Sequence, residues 1–266
     1  MSRMITVNGL GRHIGGKGVR KIDRRTLRLG TFLPRVAQLS PIPPSFDLRP
    51  TPWTPGPLLL NDTLGDCVVA AGLHFVRFWT ASVGTPVEPT DDDALSVYEA
   101  FGYDPNAPLD ANGNNPTDNG VCLLDFLKHW KNKGIAGHQI GGFASVDYHN
   151  LPVALWGMYN LGGIFTGVML TEQDAQASGQ WIYDPDDHSP VDGGHGIAVL
   201  PVNTAMRTSA ETWGMDFVTD FRWLQARSDE AYVVFSEDQL SPETGLSEIG
   251  LDVKALNAAL ALVAAQ

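Results

Sequence analysis

The chain has two cysteines, and Cys67 stands where a polar, glycine-containing turn, NDTLGD (61–66), gives way to a long apolar run. If a helix begins there, its first N–H groups are unpaired and carry partial positive charge. Both favour a thiolate, the nucleophilic form of cysteine. Asp66 opposes this unless its carboxylate faces solvent. Position alone leaves two readings open: a nucleophile, or a small buried apolar side chain. Asn61 lies six residues earlier, and its amide, returning over the turn, would join the Cys67 N–H as a pair of oxyanion donors. Far downstream, DGGHGIAVLPV sets His195 at the mouth of an apolar strand, 128 residues after Cys67. Gly193, Gly194 and Gly196 strip bulk from around the imidazole, so another backbone or a substrate comes close. A lone histidine beside a strand is also an ordinary structural residue.

The elements that must carry these side chains follow from pattern. Residues 67–81 read as a helix that is apolar nearly all round and therefore buried on most faces. A second helix over 91–101 opens with Asp91, Asp92 and Asp93, where the helix dipole favours them. GYDPNAPLDANGNNPTDNG is a long turn-rich loop. A third helix, 120–133, stops at Gly134, and a short one lies near 150–160. GGIFTGVML, HGIAVLPV, DFRWLQA and EAYVVFS read as strands, and the chain closes on an Ala/Leu-rich helix. The class is α+β, with helices early and strands late and a two-lobed molecule as one natural solution. Its parts are a basic extension (1–40) with little core of its own, a Pro-rich entry segment and helical lobe (41–138), a β-rich lobe (139–246) and a C-terminal helix (247–266).

With 266 residues there is ample core for one large domain or two lobes. The net charge of −12 is unevenly spread: residues 1–40 hold nine Lys/Arg against one acid, Asp23, leaving the arm at +8 and the remainder at −20. An acidic body repels phosphates, which argues against nucleic acid as the main partner. The basic arm has nucleic acid, an acidic partner or the acidic body itself open to it, and self-docking is the plainest of these. Two cysteines are no disulfide framework. The N-terminus lacks a signal-peptide core and no run is long enough to span a membrane, so a reducing, cytoplasmic setting is the expectation.

Several segments in order resemble the papain-like cysteine peptidases. In that family a nucleophilic Cys heads a long central helix, an amide side chain sits six residues before it, and the His follows roughly 130–150 residues on. PPSFDLRP (43–50) is similar to the family's mature N-terminus, DNGVCLLDFLKHWKNKGI (118–135) to its glycine-containing cleft turn and following helix, and GGIFTGVML with GQWIYDP to the strand and loop ahead of the His. ETWG (211–214) stands where the family has Asn-Ser-Trp-Gly. The resemblance covers about residues 43–236. It implies a two-lobed fold with Cys67 and His195 facing each other across a cleft, Asn61 in the oxyanion site, Glu211 orienting His195, and Trp213 covering that contact. It also implies a substrate surface built from Gly65, Gly120, Gly194 and Trp213, a peptide or protein substrate, and no cofactor or metal. Departures are Asn61 for Gln, Val68 for an aromatic, Glu211 for Asn, no disulfide pattern, and an extension short for an inhibitory pro-domain.

Two rivals stand beside this reading, the first motivated by those departures and the basic arm. One is a papain-like scaffold with little turnover, serving as a binding component or a structural part of a phage particle or secretion-linked assembly. The other is transglutaminase-like acyl transfer through the same Cys–His pair. Other motifs carry less. Asp110, Asn112 and Asn114 do not complete a calcium loop, because Asn115 and Val121 stand where Gly and Glu are needed. Cys122 has no partners at zinc spacing and reads as core. YDPDDHSPVD, with its four Asp around His188, reads as a polar loop flanking the cleft. GLGRHIGG follows no convincing strand, so it is no dinucleotide fingerprint.

Overall fold

The computed structural model describes residues 3–31 and 42–247. The chain opens with an antiparallel hairpin, β1 (Arg3–Val7) on β2 (Leu10–Ile14), followed by the short β3 (Leu27–Arg28) and β4 (Phe46–Asp47). Helices α1 (Cys67–Ser82), α2 (Asp91–Glu99) and α3 (Leu123–Lys133) come next. Then follow β5 (Ile140–Ser145), α4 (Leu151–Asn160), β6 (Ile164–Thr171), α5 (Glu172–Gln176) and β7 (Gln180–Trp181). The long β8 (Val191–Thr204), β9 (Arg207–Thr212), β10 (Met215–Asp220), α6 (Phe221–Arg227) and β11 (Ser228–Ser236) complete the fold. Among the described residues one sheet runs β3-β5-β11-β6-β8-β9-β10-β7, with β4 paired to β8.

The sheet's period-two alternation feeds two cores. Ile164, Val168, Ile197 and Val199 join Trp181, Trp213, Phe217 and Trp223 in the β-rich core. Phe165, Ala198 and Leu200 face the other way and join α1 and α3. That explains why α1 is apolar on every side: residues Cys67 through Thr80 are all buried between α3 and the sheet. Gly72 brings α1 and α3 together, since a Cβ there would lie 2.5 Å from the Phe126 ring.

Three expectations are corrected. DFRWLQA is not a strand: Asp220 accepts from Trp223 N at 2.7 Å and caps α6, and this local bond outweighs the aromatic β-propensity. The early-helix, late-strand division is blurred by β1–β4 and by α5 and α6, while α4 is the short helix expected near 150–160. The N-terminal extension does contribute core: Ile5, Val7, Ile14 and Leu29 are buried in the β-rich cluster. Of the expected C-terminal helix, residues from 248 onward lie outside the described residues.

Candidate active site

Cys67 is the first residue of α1 and is 1% exposed. Its Sγ accepts a hydrogen bond from Gly196 N at 3.2 Å. The backbones meet this closely because residue 196 has no side chain: a Cβ there would sit 3.0 Å from Val68 Cα. Gly196 follows His195 on β8, so the packing of β8 on α1 sets the Cys67 thiol against the residue next to His195. Burial pushes the Cys67 thiol up to about 12; Asp66 adds to this, and the Gly196 N–H and Lys17 oppose it.

His195 is fully buried and its ring stacks on Trp213, with centroids 4.2 Å apart. Nε2 lies 2.8 Å from Thr212 Oγ1. That hydroxyl in turn donates to Asn61 Oδ1 at 3.5 Å. A hydroxyl has one proton, so it accepts from His195, which places the imidazole proton on Nε2. Nδ1 is then a bare lone pair and has no hydrogen-bond partner among the described residues. Burial, with His13 and Arg12 nearby, lowers the His195 pKa to about 3. In this state the site holds a neutral thiol and a neutral imidazole with an open proton acceptor.

The expected orienting residue is displaced by one position. Glu211 and Thr212 are neighbours on β9 and point to opposite faces. Glu211 Oε1 accepts from Gly56 N and lies 3.9 Å from Arg77, away from His195. Burial, then Asp216, pushes its carboxyl up to about 8, against the Gly56 N–H and Arg77. Asn61 is fully buried, but its Nδ2 donates to Asp66 Oδ1 at 3.3 Å. The amide thus links the head of α1 to the His195–Thr212 pair. Gly65 N donates to both oxygens of Asp118, Tyr98 OH donates to Asp118 Oδ1, and Gly120 N donates to Tyr98 OH. Asp118 and Tyr98 therefore tie the Gly65 and Gly120 turns into one wall. Trp213 stacks on His195, but the His195–Glu211 contact it was expected to cover is not formed.

The arm lies in the cleft. Arg12 sits over the Trp213 ring at 4.9 Å and donates to the carbonyls of Ala175 and Ala177. His13 N donates to Asn61 O at 3.4 Å, and its ring is 3.5 Å from Asp118. A Cβ on Gly193 would lie 3.0 Å from Gly15 Cα, and one on Gly16 would lie 2.5 Å from the Gly65 carbonyl. Val121 N donates to Gly16 O, Gly18 N to Val121 O and Lys17 N to Gly194 O. Gly120, at φ +71°, has no room for a side chain, because a Cβ would meet Gly16 O at 2.1 Å. The expected substrate surface of Gly65, Gly120, Gly194 and Trp213 is thus covered by residues 12–18. Lys17 Nζ lies 2.9 Å from Asp229 and 3.1 Å from Glu230. Burial would lower its pKa, but the two carboxylates outweigh it and hold the ammonium raised.

Sequence reasoning missed Thr212, Asp118, Tyr98 and the arm residues Arg12, His13 and Lys17. The glycines at 11, 15, 16 and 18 were the available signal, because they mark a backbone squeezed between others.

No protein-family model and no curated protein matches the chain. Among solved structures it is similar to xylellain, a cysteine protease from Xylella fastidiosa, at 14% identity over 83% of this chain and 96% of that one, with a TM-score of 0.58. A procathepsin B from Trypanosoma congolense aligns at 10% identity over 84% of this chain and 82% of that one, with a TM-score of 0.48. With the helix headed by Cys67 packed on the strand that carries His195, the chain has the papain-like cysteine protease fold.

Proposed function

We propose that the chain is a papain-like cysteine peptidase kept latent by its own N-terminal arm. The observation that carries this reading is the bond to Cys67 Sγ from the N–H of Gly196, the residue after His195, together with the Thr212 contact that leaves His195 Nδ1 as a proton acceptor. On release of the arm, water and substrate enter, and the burial that keeps both groups neutral is relieved. His195 Nδ1 takes the Cys67 proton, and the thiolate attacks a peptide carbonyl carbon. The oxyanion is held by the Cys67 N–H and by Asn61, once its amide turns from Asp66. The C–N bond breaks as His195 returns the proton to the leaving amine. Water, deprotonated by His195, then cleaves the thioester and regenerates the thiol.

The test compares full-length chain with Gly16→Val, whose side chain meets the Gly65 carbonyl and displaces the arm. Each is made with and without Cys67→Ser or His195→Ala, and release of peptides from an unfolded protein is measured. Gly16→Val should exceed wild type, and either site substitution should cost at least about a thousandfold. Turnover that survives Cys67→Ser overturns the reading. A second reading, an inert binding scaffold, is favoured by the fully buried neutral pair. It requires that no displacement of the arm yields hydrolysis.

A further inference from the structure

The side chain of Lys17 enters a walled pocket beside the candidate site. Its stem crosses Gly167, where a Cβ would lie 2.3 Å from Lys17 Cε, and its base packs near Gly194. The Lys17 side chain is 2% exposed. At the pocket's end stand Asp229 and Glu230, from the start of β11. Glu230 is 5% exposed, and its Oε2 accepts from Tyr232 OH at 3.1 Å. Its Oε1 faces the ammonium at 3.1 Å, yet no donor among the described residues makes a well-directed hydrogen bond to it. A buried carboxylate is costly without a cation; Glu230 is buried, Asp229 is partly exposed at the rim, and the Lys17 ammonium offsets that cost here.

We infer that Asp229 and Glu230 form a specificity pocket for a basic side chain of the substrate, with Lys17 as its occupant in the latent state. The inference rests on the peptidase reading, and it names the substrate class: peptides carrying lysine or arginine near the cleaved bond. The backbone around Lys17 already makes an extended peptide's bonds, to Val121 on one side and Gly194 on the other. The pocket is therefore presented to one side chain of a strand laid in the cleft, as in other extended-peptide grooves. Arginine fits the chemistry at least as well, because its forked N–H groups reach the Glu230 oxygen that lysine leaves without a directed bond. A glutamate is rejected by two like charges, and a leucine leaves both carboxylates uncompensated.

The test uses the arm-displaced Gly16→Val chain and three-residue peptidyl vinyl sulfones that carry Lys, Arg, Leu or Glu at each position in turn. Labelling of Cys67 is followed by mass spectrometry, with Cys67→Ser as the control. The Lys and Arg probes should react at least about tenfold faster than Leu at one position, with Glu slowest. Asp229→Asn with Glu230→Gln, in a Lys17→Met background so that no unpaired ammonium stays buried, should erase that advantage. Equal rates for Leu and Lys, or an advantage that survives the double substitution, overturns the pocket. If no probe labels Cys67, the peptidase reading falls instead, and binding decides the pocket. Fluorescent IGGKGV, the sequence of residues 14–19, should then bind the full-length Gly16→Val, Lys17→Met chain, whose own arm is displaced, at least about tenfold more tightly than IGGLGV. Equal affinities overturn the inference.

Discussion

At the scale of single residues, the site depends on which group holds His195. Thr212 fixes the tautomer through one hydroxyl proton shared toward Asn61. Thr212→Val keeps the shape and removes that contact, so in an arm-displaced chain kcat should fall roughly tenfold to a hundredfold with KM little changed. Thr212→Ser should restore it; an equal loss in both variants would mean a packing role. Glu211 makes a separate claim. Burial keeps it protonated up to about 8, whereas the unfolded side chain ionises from about 4.5. Between those values the unfolded chain has already lost a proton that the folded chain keeps, so stability falls as pH rises from about 4.5 to about 8. Glu211→Gln retains an acceptor for Gly56 N–H and removes the titration. Its advantage in melting temperature should widen from about pH 5 to about pH 8, by an amount on the order of 5 °C. Parallel pH profiles would show that Arg77 already keeps the carboxylate charged.

At the scale of elements, the latch is a strand of glycines. Gly16 passes the Gly65 carbonyl and lies against Gly120 with no space for a Cβ on either. Gly16→Val should therefore raise the rate of Cys67 alkylation by iodoacetamide at least about tenfold, with Cys122→Ala as background and far-UV circular dichroism unchanged. An unchanged rate would place the barrier elsewhere than in the arm. The sequence made α1, α3 and β8 legible because their apolar patterns are long and their ends carry Gly or polar turns. It also showed that glycines 193, 194 and 196 admit another backbone, although that backbone proves to be both α1 and the chain's own arm. The His195 partner was not legible. Glu211 and Thr212 are adjacent, and only the register of β9 decides which faces the imidazole. The helix at DFRWLQA was hidden by aromatic residues that pattern alone assigns to a strand.

At the scale of the whole molecule, the asymmetry of charge becomes an attachment. The basic arm meets acids of the body through Arg3 with Asp192, Lys21 with Asp125 and Lys17 with Asp229 and Glu230, while the arm's own Asp23 meets Lys128. The surface pairs contribute little individually. The buried one is different, because removing Lys17 leaves two carboxylates without their cation. Because latch and cleft belong to one chain, closure is a first-order event whose effective concentration is set by the connecting segment, not by how much protein is present. A site-specific cut introduced within residues 36–40 would convert it to a second-order one. Probe labelling of Cys67 in the intact chain should then be unchanged over a roughly thousandfold dilution, while in the cut chain it should climb as the sample is diluted. One broken peptide bond, with no change in the site itself, would turn a molecule indifferent to its own abundance into one that wakes when it is scarce.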